Sequence, residues 1–201
     1  MMEWSVLITR SGVALLGLLA ASPVLAGPAD PWAVDAEASR LTFETKQMGV
    51  PVKGRFGKFS GSIVLDPSDL ANARIDITVA IPSGATGTKD IDEAMLGEDL
   101  LAARAFPAAR FVADKVISEG EGKYRADGKL TIRDLSKDLA LPFTLAIADD
   151  PTTPGQLRAT ARGRVDIRRL DYGVGQRDWK ATDAVPNEVA VVLEIIATRA
   201  K

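Results

Sequence analysis

Apolar and polar positions alternate with a period of two through most of the chain. Ile75, Ile77, Val79 and Ile81 share one face of a run, as do Leu139, Leu141, Phe143, Leu145 and Ile147 in another, and Val189, Val191, Leu193 and Ile195 near the end. Leu41 pairs with Phe43; Tyr124, Ala126, Gly128, Leu130 and Ile132 form a further face; Leu157, Ala159, Ala161, Gly163, Val165 and Ile167 form another. Such alternation predicts strands with one buried and one wet face. Turn signals separate the runs at Asp66-Pro67, Pro82-Ser83-Gly84, Gly120-Glu121-Gly122, Pro151 to Gly155 and Asp171-Tyr172-Gly173. The pattern predicts one all-β domain, an antiparallel sandwich or barrel.

One stretch departs from period two. Residues 90–104 suit a short helical segment, with Asp90 as N-cap and Glu93 completing a capping box. Ile91, Ala94 and Met95 fall on one helical face, and Gly97 breaks or kinks it. Alternation alone leaves open whether the interior is filled or hollow. Ala159, Ala161, Gly163, Ala126 and Gly128 are small inward positions, which leave space or receive large residues from the opposite wall. Pro142 inside a strand marks an edge, a bulge or an opening, because it cannot donate to the ladder.

Composition narrows the chemistry. The 201 residues carry 25 basic and 27 acidic side chains without a polybasic block, and few aromatics, so nucleic acid is not an expected partner. Cys and His are both absent. This removes disulfides, thiolate nucleophiles, His-containing triads and the commonest metal ligands, so no catalytic and no metal-binding residue is assigned. Residues 1–26 read as a secretory signal peptide: Arg10, an apolar centre Val13–Ala21, and small residues up to a cut after Ala26. The centre is too short to span a membrane. Residues 27–201 are the expected exported domain, with no membrane span.

Several motifs in order carry a resemblance. Trp32-Ala-Val-Asp35 with Ser39-Arg-Leu-Thr-Phe43, Lys46 to Gly61, Ile63-Val-Leu-Asp-Pro67, Phe106 to Phe111, Gly128-Lys-Leu-Thr-Ile132 and Arg169 to Gly175 resemble the YceI family of polyisoprenoid-binding, lipocalin-like periplasmic proteins. The resemblance implies an extended, eight-stranded antiparallel barrel with a helical segment near residues 88–104 packed on it. It tips the interior toward a hollow apolar tunnel for a long isoprenoid, polyprenyl or quinone-like. It also implies the periplasm as location and no cofactor apart from such a lipid. Ala38, Gln47 and Ala94 stand where relatives often carry His, so any head group must be held differently here.

On that reading the wall comprises Leu41, Phe43, Phe56, Phe59, Ile63, Leu65, Ile77, Val79, Leu130, Ile132, Leu141, Phe143, Ala161, Gly163, Val165 and Ile167, with Met95, Leu96, Leu100 and Leu101 from the helical segment. Each serves plain core packing equally well. Lys53 and Arg55 are candidates for meeting an anionic head at the mouth. Asp90, Asp92 and Glu93 read as a helix start rather than a cation site. Arg162, Arg164 and Arg168 read as a solvated outer wall rather than a phosphate site. The expected function is a periplasmic binding or carrier protein for an isoprenoid lipid, not an enzyme. The alternatives are a filled-barrel partner module for a membrane redox protein such as a b-type cytochrome, or an enzyme acting on a lipid head group. The cytochrome rests on association within the family alone.

Overall fold

The computed structural model describes residues 30–201; the expected leader, with its expected cut after Ala26, lies outside the described residues. Ten strands form one antiparallel sheet: β1 (Ala33–Gln47), β2 (Val50–Phe56), β3 (Phe59–Val64), β4 (Arg74–Ala80), β5 (Gly84–Ala85), β6 (Ala108–Gly120), β7 (Lys123–Ile132), β8 (Leu135–Asp149), β9 (Gln156–Arg168) and β10 (Glu188–Ala200). Their order is β3-β4-β6-β7-β8-β9-β10-β1-β2-β5. One helix, α1 (Lys89–Leu96), and turns through Phe106 link β5 to β6. Among the described residues no helix is long and apolar enough to cross a membrane.

The resemblance implied eight strands, and the difference has a local cause. β2 pairs with β1 and β3 pairs with β4, while only Gly57 and Lys58 separate β2 from β3. The two are halves of one strand bent at a corner. Ser83 holds that corner, its carbonyl accepting from Gly57 N–H at 3.2 Å and its hydroxyl from Lys58 N–H at 3.0 Å. β5 is a two-residue stub on β2. The bent strand joins one edge of the sheet to the other, so the sheet curls round on itself.

A bulge in β1 helps this closure. The β1–β10 register shifts between Asp35 and Arg40. Asp35 Oδ1 accepts the N–H groups of Glu37 and Ala38, and the Ser39 hydroxyl accepts Ile196 N–H at 2.9 Å. Bulges bend a strand and increase its twist. The start of β1 is thereby carried to β3, where Trp32 bridges Ile63.

Pro142 sits where the sheet parts. β8 pairs with β7 over its first two thirds, from Ile132↔Leu135 to Lys123↔Thr144. It pairs with β9 only from Phe143↔Gly163 onward. A residue without an N–H is tolerated where a ladder ends, as its position in the sequence predicts.

The helix begins differently from expectation. Its N-cap is Thr88, not Asp90, and no side chain caps it. Asp92 instead turns its carboxylate back to the N–H and hydroxyl of Thr86, both at 2.6 Å. Asp90 and Glu93 are exposed, so the capping box does not form. Asp92 finds a better-placed pair of donors in the chain just ahead of the helix.

Two packed layers bound the interior. At one end Trp32, Leu65, Ala73, Ala113, Val116, Ala126, Phe143, Ala159 and Ala197 pack together. Trp32 Nε1 donates to Leu65 O at 2.8 Å, and the Arg199 guanidinium lies over its ring at 4.6 Å. At the other end Ile81, Ala103, Ala109, Ile132, Tyr172 and Val174 form a second cluster, joined by Leu96, Leu100 and Leu101 from the helical segment.

Candidate functional site: an apolar cavity inside the barrel

Inward side chains between the two layers do not meet. No large side chain among the described residues is less than 2% exposed. Leu41, Ile77, Leu130, Leu141 and Val165 face inward yet remain half-buried, because they border space. That space is a cavity of about 340 Å³, within the range of roughly 300–1,000 Å³ usual for ligand pockets.

The period-two faces build its wall. β1 contributes Leu41, Phe43, Thr45 and Gln47, β4 Ile75, Ile77 and Val79, β8 Leu139, Leu141, Phe143 and Leu145, and β9 Ala159, Ala161, Val165 and Ile167. Gly54 opposite Phe43 on β2 is required by this packing: a Cβ there would clash with the Phe43 ring. The Phe43 ring in turn lies against Phe56, with centroids 5.6 Å apart. Ala161, small by sequence and half-buried, borders the space, while Ala159 is packed into the end layer at its edge.

Of the residues expected on the wall, Leu41, Phe43, Phe56, Phe59, Ile63, Leu65, Ile77, Val79, Met95, Leu100, Leu101, Leu130, Ile132, Leu141, Phe143, Ala161, Val165 and Ile167 line the cavity. Gly163 does not; a Cβ on it would meet Pro142 O at 2.9 Å and Leu193 at 3.4 Å, and it borders an outer depression instead. Leu96 packs into the second cluster. Lys53 and Arg55 are exposed and lie off the wall, with Lys53 bound to Glu44 at 2.8 Å. Gln47 and Ala94 line the cavity, and Ala38 sits in the β1 bulge.

The structure adds residues that the strand pattern did not single out for the site. β10 supplies Val189, Val191, Leu193, Ile195 and Ala197, whose alternation was plain in the sequence. Trp32 lines the cavity from the packed end, while Trp179 and Val185 line it from the segment between β9 and β10. That segment is tied to the β1–β2 hairpin by Met48 N–H donating to Ala184 O at 2.8 Å. At the hairpin tip Met48 and Val50 are 75% and 64% exposed.

Polar groups on the wall are few. No Asp or Glu lines the cavity, and the cations there are Lys46, Arg110 and Arg169. Arg110 is paired with Asp76, and Lys46 is exposed. Arg169 is 4% exposed and forms no ion pair among the described residues. Its guanidinium donates to the carbonyls of Pro186, Val174, Ala181 and Val185 at 2.8–3.1 Å. Burial pushes its pKa below the usual guanidinium value. Thr45 is different: its hydroxyl is buried and has no hydrogen-bond partner in the protein.

The charged clusters lie outside the cavity. Arg162 pairs with Glu194 at 2.8 Å and Arg164 with Glu44 at 3.0 Å across the outer face. The Lys53 and Arg164 hydrogen bonds hold the Glu44 carboxyl below its usual pKa. These arginines thus serve a solvated, ion-paired outer wall.

Known proteins share this architecture. The structure of BcnA from Burkholderia cenocepacia superposes with a TM-score of 0.74 and 31% identity, covering 82% of this chain and 99% of that one. A polyisoprenoid binding domain from Saccharophagus degradans superposes with a TM-score of 0.62 at 13% identity, covering 85% of this chain and 98% of that one, and shares the fold. A UPF0312 protein of Shewanella oneidensis is 28% identical over 164 residues, 80% of this chain and 85% of its own length. A Vibrio vulnificus UPF0312 protein is 26% identical over 162 residues, 79% and 85% of the two lengths. The YceI-like domain matches residues 32–197, nearly all of the barrel, and the chain therefore belongs to the YceI-like family.

Proposed function

We propose that this protein binds a long-chain isoprenoid lipid in the barrel cavity and carries it without chemical turnover, in the periplasm after export. The carrying observation is the cavity itself, lined mainly by the inward strand faces and almost wholly apolar. Each buried CH₂ contributes about 0.8 kcal/mol. A nanomolar Kd needs about 12 kcal/mol, so roughly fifteen buried methylene equivalents reach it before association costs are deducted. A branched, flexible chain suits a wall of Leu, Ile, Val and Phe with Met95 as a pliable contact. The polyisoprenoid-binding relative of the same fold supports the choice of ligand class. The leader at residues 1–26 supports export.

Fluorescence titration with geranylgeraniol tests the reading, because Trp32 and Trp179 both line the cavity. The reading expects saturable, stoichiometric change in emission. A titration that stays flat while the protein remains folded overturns it.

A further inference from the structure

We propose that the tip of the β1–β2 hairpin, Met48 to Pro51, docks on a bilayer surface containing anionic phospholipid, and that the barrel takes up and releases its lipid at this end. The second half rests on the lipid-binding reading; the docking itself does not.

Met48 and Val50 are the two most exposed large apolar side chains among the described residues, and they stand two positions apart. Gly49 and Pro51 are exposed as well, so Met48-Gly49-Val50-Pro51 presents an unbroken uncharged run to solvent. Single apolar side chains on a surface need no explanation, but an exposed run does. Turn chemistry does not supply one. Gln47 pairs with Val50, and Met48 and Gly49 between them have φ of +51° and +82°, both positive as a tight I′ turn requires. The first central position of such a turn favours Asn, Asp or Gly. A methionine there gains nothing from the turn, and its side chain is left to a partner outside the protein.

The surroundings select that partner. Residues 44–55 carry Lys46, Lys53 and Arg55, all exposed, against Glu44 alone, and Arg164 also binds Glu44. The net charge of the chain is -2, so the hairpin is locally basic on an acidic protein. The segment bonded to Met48 through Ala184 is balanced, with Arg177 and Lys180 against Asp178 and Asp183. An apolar tip flanked by lysine and arginine suits a bilayer: the tip enters the acyl boundary while the cations meet lipid phosphate.

The cavity reaches the same end. Lys46, Gln47 and Val52 line it from beside the tip, and Trp179 and Val185 line it from the segment to which Met48 is bonded. A lipid leaving the bilayer under the tip passes directly from acyl chains to the apolar wall.

The test sediments ligand-free protein with vesicles of phosphatidylethanolamine and phosphatidylglycerol, and with vesicles of phosphatidylcholine alone. The first should bind the protein at least about 5-fold better than the second, and added salt should release it. Met48→Asn combined with Val50→Thr keeps the turn and the strand, and neither residue lines the cavity. The pair should lower vesicle binding by about 10-fold and slow transfer of geranylgeraniol from vesicles by a similar factor. Its Tm and its binding of geranylgeraniol added from solution should match wild type. Lys53→Gln with Arg55→Gln should remove the preference for the anionic vesicles. Wild type that sediments with neither vesicle, or a Met48→Asn, Val50→Thr protein that sediments as wild type does, overturns the docking and leaves lipid binding standing. A wild-type dimer that this pair dissociates, with no vesicle binding, overturns it in favour of a second copy of the chain. Transfer as fast in the pair as in wild type overturns the port. Docking without any uptake of geranylgeraniol removes the lipid-binding reading and the port with it, and leaves the docking surface.

Discussion

Arg169 is the residue on which the wall formed by the segment between β9 and β10 depends. It carries a buried charge with no acidic partner among the described residues, and it survives there because four carbonyls from residues 174–186 surround it. It thereby holds the segment that brings Trp179 and Val185 to the cavity. Gly175 makes room: its φ is +123°, and a Cβ there would clash with Arg169 Nη1. Arg169→Met should therefore cost about 2–4 kcal/mol, since the orphaned carbonyls outweigh the relieved burial of charge. Urea denaturation checks this; a loss below about 0.5 kcal/mol would show that the segment holds itself. The sequence placed Arg169 in a family motif, but its role was not legible, because its acceptors are main-chain atoms that only the fold brings together. Thr45 was legible in part. Period two puts it on the face of Leu41 and Phe43, but a search for apolar walls passes over a threonine.

At the scale of elements, α1 and its approach show where local rules gave way. A helix start rich in Asp was evident, yet Thr86 lies outside a three-residue capping window and drew Asp92 to it. These hydrogen bonds, from the Thr86 hydroxyl first and its N–H second, hold the Asp92 carboxyl below its usual pKa. A carboxyl depressed on folding stabilises the fold above its unfolded pKa and ceases to as pH falls through the folded value. Wild type should therefore lose Tm on acidification below about pH 4, and Asp92→Asn should flatten part of that loss. Equal acid slopes in the two proteins would show that the contact does not contribute. On β9, Ala161→Trp projects an indole into the cavity, while Thr160→Trp on the opposite face serves as control. The hollow barrel absorbs the indole with a small change in ligand-free Tm and loses its lipid. A filled core would instead be overpacked, at about 1–3 kcal/mol. Thermal melts and lipid content of the three proteins distinguish these outcomes.

For the whole molecule, strand alternation announced the barrel because one wet face and one dry face impose period two on every long strand. It did not announce the corner at Gly57–Lys58, which turns on contacts with Ser83 far along the chain. Nor could it tell filled from hollow, since the same leucines and valines serve both; only the half-buried state of inward residues does. The family resemblance carried that distinction ahead of the structure. With no His in the chain and no Asp or Glu on the wall, ligand affinity should stay flat between pH 5 and 9, and dialysis across that range checks it. The account stands most directly on what the cavity holds. Mass spectrometry of an organic extract from natively purified protein should find an isoprenoid near one per chain, absent from Ala161→Trp. Wild-type protein that is folded and yields no isoprenoid would contradict it.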